Sequence, residues 1–150
     1  MIVRTVLAFV GTIAFALLFG VPRKYFVSCG IIGGAGWLLY EALTSCAGAT
    51  TTEATFFATV LVILLSRLCA VRARCPVTVF LISGIFPLVP GAGIYWTAYY
   101  LVTGQMGQAV SSGFVAVKAA IAIVLGIVFV FEIPNKCFRL LDRRGRRAGR

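Results

Sequence analysis

The chain has 150 residues, room for one domain, and 61% of them are apolar while only 12% are charged; a soluble domain has about half and about a quarter, so this is the composition of a membrane protein. Its formal net charge is +10, and seven of its 14 bases follow Pro134 in the tail "NKCFRLLDRRGRRAGR". Histidine is absent and the one aspartate, Asp142, lies in that tail, which excludes Ser-His-Asp hydrolysis and histidine-based metal sites; no catalytic residue, metal or cofactor is expected.

The bases flank apolar spans, so they read as anchors on the anionic lipid of a cytoplasmic face and not as a nucleic-acid surface. The five cysteines, Cys29, Cys46, Cys69, Cys75 and Cys137, form no C-x-x-C pair and read as small apolar packing residues. The expected organisation is a multispan membrane domain over residues 1–133 and a basic cytoplasmic tail over residues 134–150.

In chain order, five transmembrane helices are predicted. The first is Ile2–Val21, which has the look of a signal peptide, but Arg23 and Lys24 follow at once and oppose translocation. The second is Phe26–Leu43. Its Gly30 and Gly34 form a G-x-x-x-G pair, continued at helical spacing by Trp37 and Glu41, a stripe suited to close helix packing. The G-x-G of Gly34 and Gly36 lacks the third glycine and the preceding strand of a dinucleotide site. The third span is Ala54–Val71; "FFATVLVILL" does not alternate as a barrel strand would.

The fourth span, Val77–Val102, carries Pro87, Pro90, Gly91 and Gly93 near its middle. A straight helix of that length would be about 39 Å, against a hydrocarbon core of about 30 Å. Each proline removes a donor and clashes with the preceding turn. Two half-helices, Val77–Phe86 and Gly91–Val102, are therefore expected, joined by unwound "PLVPG". Unwound backbone at membrane depth must be buried in protein or line a watery cavity, and a half-helix that begins there offers free N–H groups to a carboxylate. Pro87, Pro90, Gly91, Gly93 and, one turn on, Tyr95 are the candidate substrate-binding residues. The fifth span is Gly113–Ile133, after "TGQMGQAVSS" read as a loop.

Ionisable residues inside spans are functional candidates. Glu41 and Lys118 fall at similar depth, and an ion pair or a shared outward vestibule is expected; Arg67 and Glu132 read as interfacial. Loop charge alternates, with bases in "VPRKYF", "SRLCAVRARCP" and the tail and Arg4 alone dissenting, so the N-terminus is placed outside and the C-terminus in the cytoplasm.

"FGVPRKYFVSCGIIGGAGWLLYEAL" and "GIFPLVPGAGIYWTAYYLVTGQ" together resemble the threonine/serine exporter family of ThrE type, in its small-subunit form equivalent to the C-terminal half of full-length exporters. The resemblance spans about Phe19 to Glu132, and the P-L-V-P-G segment with its downstream tyrosine is its most specific part. It implies a bacterial cytoplasmic-membrane exporter of small amino acids, driven by an ion gradient, with dicarboxylates such as succinate as related cargo. It also implies a larger multispan partner subunit. The motif positions are Pro87, Pro90, Gly91, Gly93 and Tyr95. Two other readings stand beside it. One is a small multidrug-type proton antiporter with Glu41 as the exchanging carboxylate; the other is a non-transporting membrane scaffold.

Overall fold

A computed structural model describes residues 2–133; the basic tail, with Cys137 and Asp142, lies outside the described residues. Those residues form α-helices joined by short turns, with no strand among them. Helix α1 is Ile2–Leu18, α2 Phe26–Cys46, α3 Thr51–Ala73, α4 Thr78–Ile85, α5 Gly91–Val102 and α6 Met106–Phe131. Single 3-10 turns, Arg23–Tyr25 and Phe86–Leu88, precede α2 and follow α4. By length and apolarity α2 with its 3-10 turn, α3 and α6 are each long enough to cross a membrane, and α4 and α5 together make a pair bent by 49°, the geometry of a broken span or of a re-entrant loop. α1, with 17 residues, sits at the short end of the spanning range.

The helix ends follow local chemistry. α1 stops three residues before the expected Val21 because Gly20 takes φ +68°, which lets Val21 N–H donate back to Ala16 O at 2.9 Å; Pro22 then prevents resumption. α3 begins before the expected Ala54. Thr50 caps it, accepting from Glu53 N–H while the Glu53 carboxylate accepts from Thr50 N–H, a reciprocal capping box. α6 begins at Met106, seven residues before the expected Gly113. The polar stretch read as a loop is helical, and only Thr103–Gln105, with Gly104 at φ +75°, makes the turn.

α2 is the central helix. Its face toward α1 is almost without side chains: a Cβ at Gly30 would come within 2.7 Å of the Phe9 ring, and one at Gly33 within 2.0 Å of Thr12 Oγ1. On the other side, Gly36 abuts Val62 of α3 and Gly84 of α4 abuts Ile32. The core fills between α2, α3 and α4 with Ile32, Val62, Ile63, Phe80 and Leu88. Two buried hydroxyls are met within their own helices: Ser66 donates to Val62 O at 2.7 Å and Thr12 to Ala8 O at 2.7 Å, the local back-bonding open to hydroxyls in apolar surroundings. α6 lies along α3, with Gly126 against Thr59, and along α5, with Gly93 against Ala116 and Gly113 against Thr97.

At one end of the bundle Tyr25 O–H donates to Ala73 O at 3.5 Å. Near it Arg67 donates to Val130 O, the last turn of α6, and stands over the Phe131 ring. Arg67 is 4% exposed, so it is not the interfacial residue expected from its place near a helix end. It is a buried clamp on a helix C-terminus, where cations are stabilised by exposed carbonyls and the dipole.

Candidate functional site

The break is where the two prolines place it, but it is shorter than the sequence predicts. "PLVPG" is not wholly unwound: Phe86–Leu88 winds as a 3-10 turn, and only Val89 (φ −62°, ψ 130°) and Pro90 (φ −75°, ψ 53°) leave the helix. The turn is held from outside, because Phe86 stacks on Phe15 of α1 with ring centroids 3.7 Å apart. Pro90 then acts as the N-cap residue of α5.

The backbone donors at the start of α5 can be accounted for one by one. Gly91 N–H turns back onto Val89 O at 2.7 Å, and Ile94 N–H reaches Pro90 O at 3.1 Å. Ala92 and Gly93 N–H have no acceptor among the described residues. Two free donors therefore stand at the helix start, where the partial positive charge of the helix also lies.

They open onto a cavity of about 430 Å³. The break itself, from Pro87 to Gly93, forms one wall; Trp37 and Tyr40 of α2, Thr51 and Thr55 of α3, and Val115, Ala116 and Ala119 of α6 form the rest. Trp37 Nε1 is buried and has no hydrogen-bond acceptor among the described residues. Thr55 spends its hydroxyl on Thr51 O at 2.6 Å. Among the described residues the lining thus offers neutral donors and no charged side chain. Such a site holds an anion by oriented N–H and O–H groups, as helix N-termini do, without a fixed counter-charge.

Four of the five predicted binding residues, Pro87, Pro90, Gly91 and Gly93, line this cavity. Gly91 faces open space, whereas Gly93 has a second task, since a Cβ there would lie 3.1 Å from Ala116 Cβ. Tyr95 is not in the lining. It is 63% exposed and its ring packs edge-on against Trp96; four residues on from Gly91 it shares that residue's exposed face, one turn further along α5 and beyond the cavity. The aromatic wall comes instead from α2, where Trp37 and Tyr40, three residues apart, share a face with their rings 5.3 Å apart. The sequence reads Trp37 as packing and does not single out Tyr40, although its spacing from Trp37 is the available signal.

The expected Glu41–Lys118 pair does not form. Glu41, 6% exposed, faces Arg4 of α1, with Nη1 to Oε1 at 3.6 Å. Lys118 is exposed on α6, over the Phe114 ring at 4.9 Å. Glu41 turns toward α1 and Lys118 stays on the exposed face of α6. Gly30 and Gly34 lie on α1, as described, and Trp37, four residues from Glu41, serves the cavity as much as the helix contact. Among the described residues no cluster of acids and cysteines is arranged to hold a metal.

A family model described as "Threonine/Serine exporter, ThrE" matches residues 4–133. No curated protein and no solved structure matches the chain.

Proposed function

The chain belongs to the threonine/serine exporter family, and on that premise we propose that it is the membrane subunit of a two-component exporter for small carboxylated solutes. The cargo is threonine- or serine-like amino acids, with dicarboxylates such as succinate within the same chemistry. The observation that carries this reading is the cavity at the break, whose described lining includes Trp37, Tyr40, Ala92 and Gly93 and no charged side chain, with the Ala92 and Gly93 N–H groups and Trp37 Nε1 lacking acceptors among the described residues. A carboxylate is the small-solute group that such donors satisfy. Among the described residues the same lining holds no carboxylate for a cationic cargo, and Glu41 is engaged with Arg4 outside it, which weighs against the multidrug-type reading.

α5 has no buried residue, and its bare faces fit a larger multispan subunit that completes the path. The setting is a bacterial cytoplasmic membrane, with the N-terminus outside and the C-terminus in the cytoplasm. The test is export of threonine and of succinate from cells that express the chain alone, the larger subunit alone, or both. Export only with both is the expected result. Robust transport by this chain alone in vesicles would remove the two-component reading, and a cationic cargo in place of either solute would remove the carboxylate one.

A further inference from the structure

A second cavity, of about 470 Å³, opens on the other side of the Trp37–Pro87 wall and is lined by Arg4, Leu7, Ala8, Trp37 and Pro87. Trp37 and Pro87 belong to both cavities. Among the described residues Arg4 is the only charged side chain in either lining, and it is paired with Glu41.

That pair is lopsided. Glu41 is buried, whereas the Arg4 side chain is 72% exposed, and 3.6 Å between Nη1 and Oε1 is well beyond the 2.7–2.9 Å of a tight charge-assisted hydrogen bond. A structural tie would use the bidentate fork of the guanidinium and bury both partners. Nor do α1 and α2 need a tie here, since Gly30, Gly33 and Gly34 already bring them together on Phe9 and Thr12. What remains is a guanidinium with donors to spare, at the mouth of a cavity, loosely held by an internal carboxylate.

We propose that the Arg4–Glu41 pair is an exchangeable carboxylate clasp: a solute carboxylate takes the place of Glu41 on Arg4 in the second cavity, next to the Trp37–Pro87 wall of the break. The inference rests on the reading that the cargo is carboxylated. It assigns Arg4, which opposes the charge pattern of the loops, a binding role that explains why a base stands at that end. Glu41 is the internal competitor that keeps Arg4 paired when no solute is there.

The test uses the full chain in lipid discs with Trp96→Phe, which leaves Trp37 as the one tryptophan and so a reporter on the shared wall. The probes are L-threonine and its methyl ester, which lacks the carboxylate. L-threonine should shift Trp37 emission and the ester should not. Arg4→Gln should weaken threonine binding by about tenfold or more, with Arg4→Lys in between. Glu41→Gln should tighten it by about threefold or more, because the competent state no longer competes with an internal anion. The double variant should behave as Arg4→Gln alone. Parental affinity in Arg4→Gln, or equal weakening by Arg4→Gln and Glu41→Gln as a structural tie would give, overturns the clasp and leaves the break reading standing. No response to threonine in the parent overturns both.

Discussion

Gly33 and Gly91 show how differently one residue type is used in this chain. Gly33 allows α1 and α2 to touch, and a methyl there would lie 2.0 Å from the oxygen of a fully buried threonine. Gly33→Ala should therefore cost about 1–3 kcal/mol by overpacking, read as a lower unfolding temperature of the extracted protein. Gly91 has open space before it, so Gly91→Leu should leave that temperature unchanged while the new side chain fills the mouth of the cavity and export falls sharply. The same measurement separates the two tyrosines. Tyr40→Phe removes a hydroxyl from a cavity wall and should lower export several-fold; Tyr95→Phe alters an exposed ring and should change it little. Single residues were the least legible level of the sequence. Spacing places a residue at a depth and on a face, which correctly put Gly30, Gly34 and Trp37 on one stripe. It does not say which neighbour that face meets. Hence Glu41 was matched to Lys118 and not to Arg4, and Gly33 and Gly36 were passed over because they lie off the G-x-x-x-G spacing.

At the level of the element, the broken span was legible because its cause is local. Two prolines three residues apart cannot donate into a continuous ladder wherever the chain is placed, and α5 begins at Gly91 as the sequence predicts. The 3-10 turn Phe86–Leu88 was not legible, since it depends on Phe15 stacking from another helix. The start of α6 was misplaced for a related reason: polarity was taken for a loop, although Met106–Ser112 contains no proline and keeps its helix. The break yields a further prediction. Pro90→Ala restores an N–H that can reach Phe86 O and removes the ring that holds the kink. The two half-helices should then draw together, with a gain in intrinsic helix propensity of up to about 3 kcal/mol, and the Ala92 and Gly93 donors should be satisfied within the helix. The expected product is a well-folded, transport-dead complex. Export and unfolding temperature measured on one preparation check this, and full export by a stable Pro90→Ala complex would end the case for the break as a carboxylate site.

At the scale of the whole molecule, the question is which way the bundle faces and whether the broken pair crosses. The bend of 49° is well short of a reversal, and if the pair crosses, Thr103–Gln105 emerges opposite the α3–α4 turn. That turn shares its end with Arg23–Tyr25, through the Tyr25–Ala73 bond, and both connections are rich in bases. In the orientation we propose, the positive-inside rule puts this end in the cytoplasm. Cys46, exposed at the far end of α2, is a natural reporter for the other side. In intact cells a membrane-impermeant thiol reagent should label Cys46, while Cys69 and Cys75 should react only after permeabilisation. In a cysteine-free chain, Gln105→Cys should label from outside as Cys46 does. If Cys46 labels from outside but Gln105→Cys only from within, the α4–α5 pair dips into the bilayer and returns, and the cavity at the break opens to one face only. If both require permeabilisation, the bundle is inverted, and the Arg4–Glu41 pair meets the solute on its way in from the cytoplasm instead of at the outer mouth.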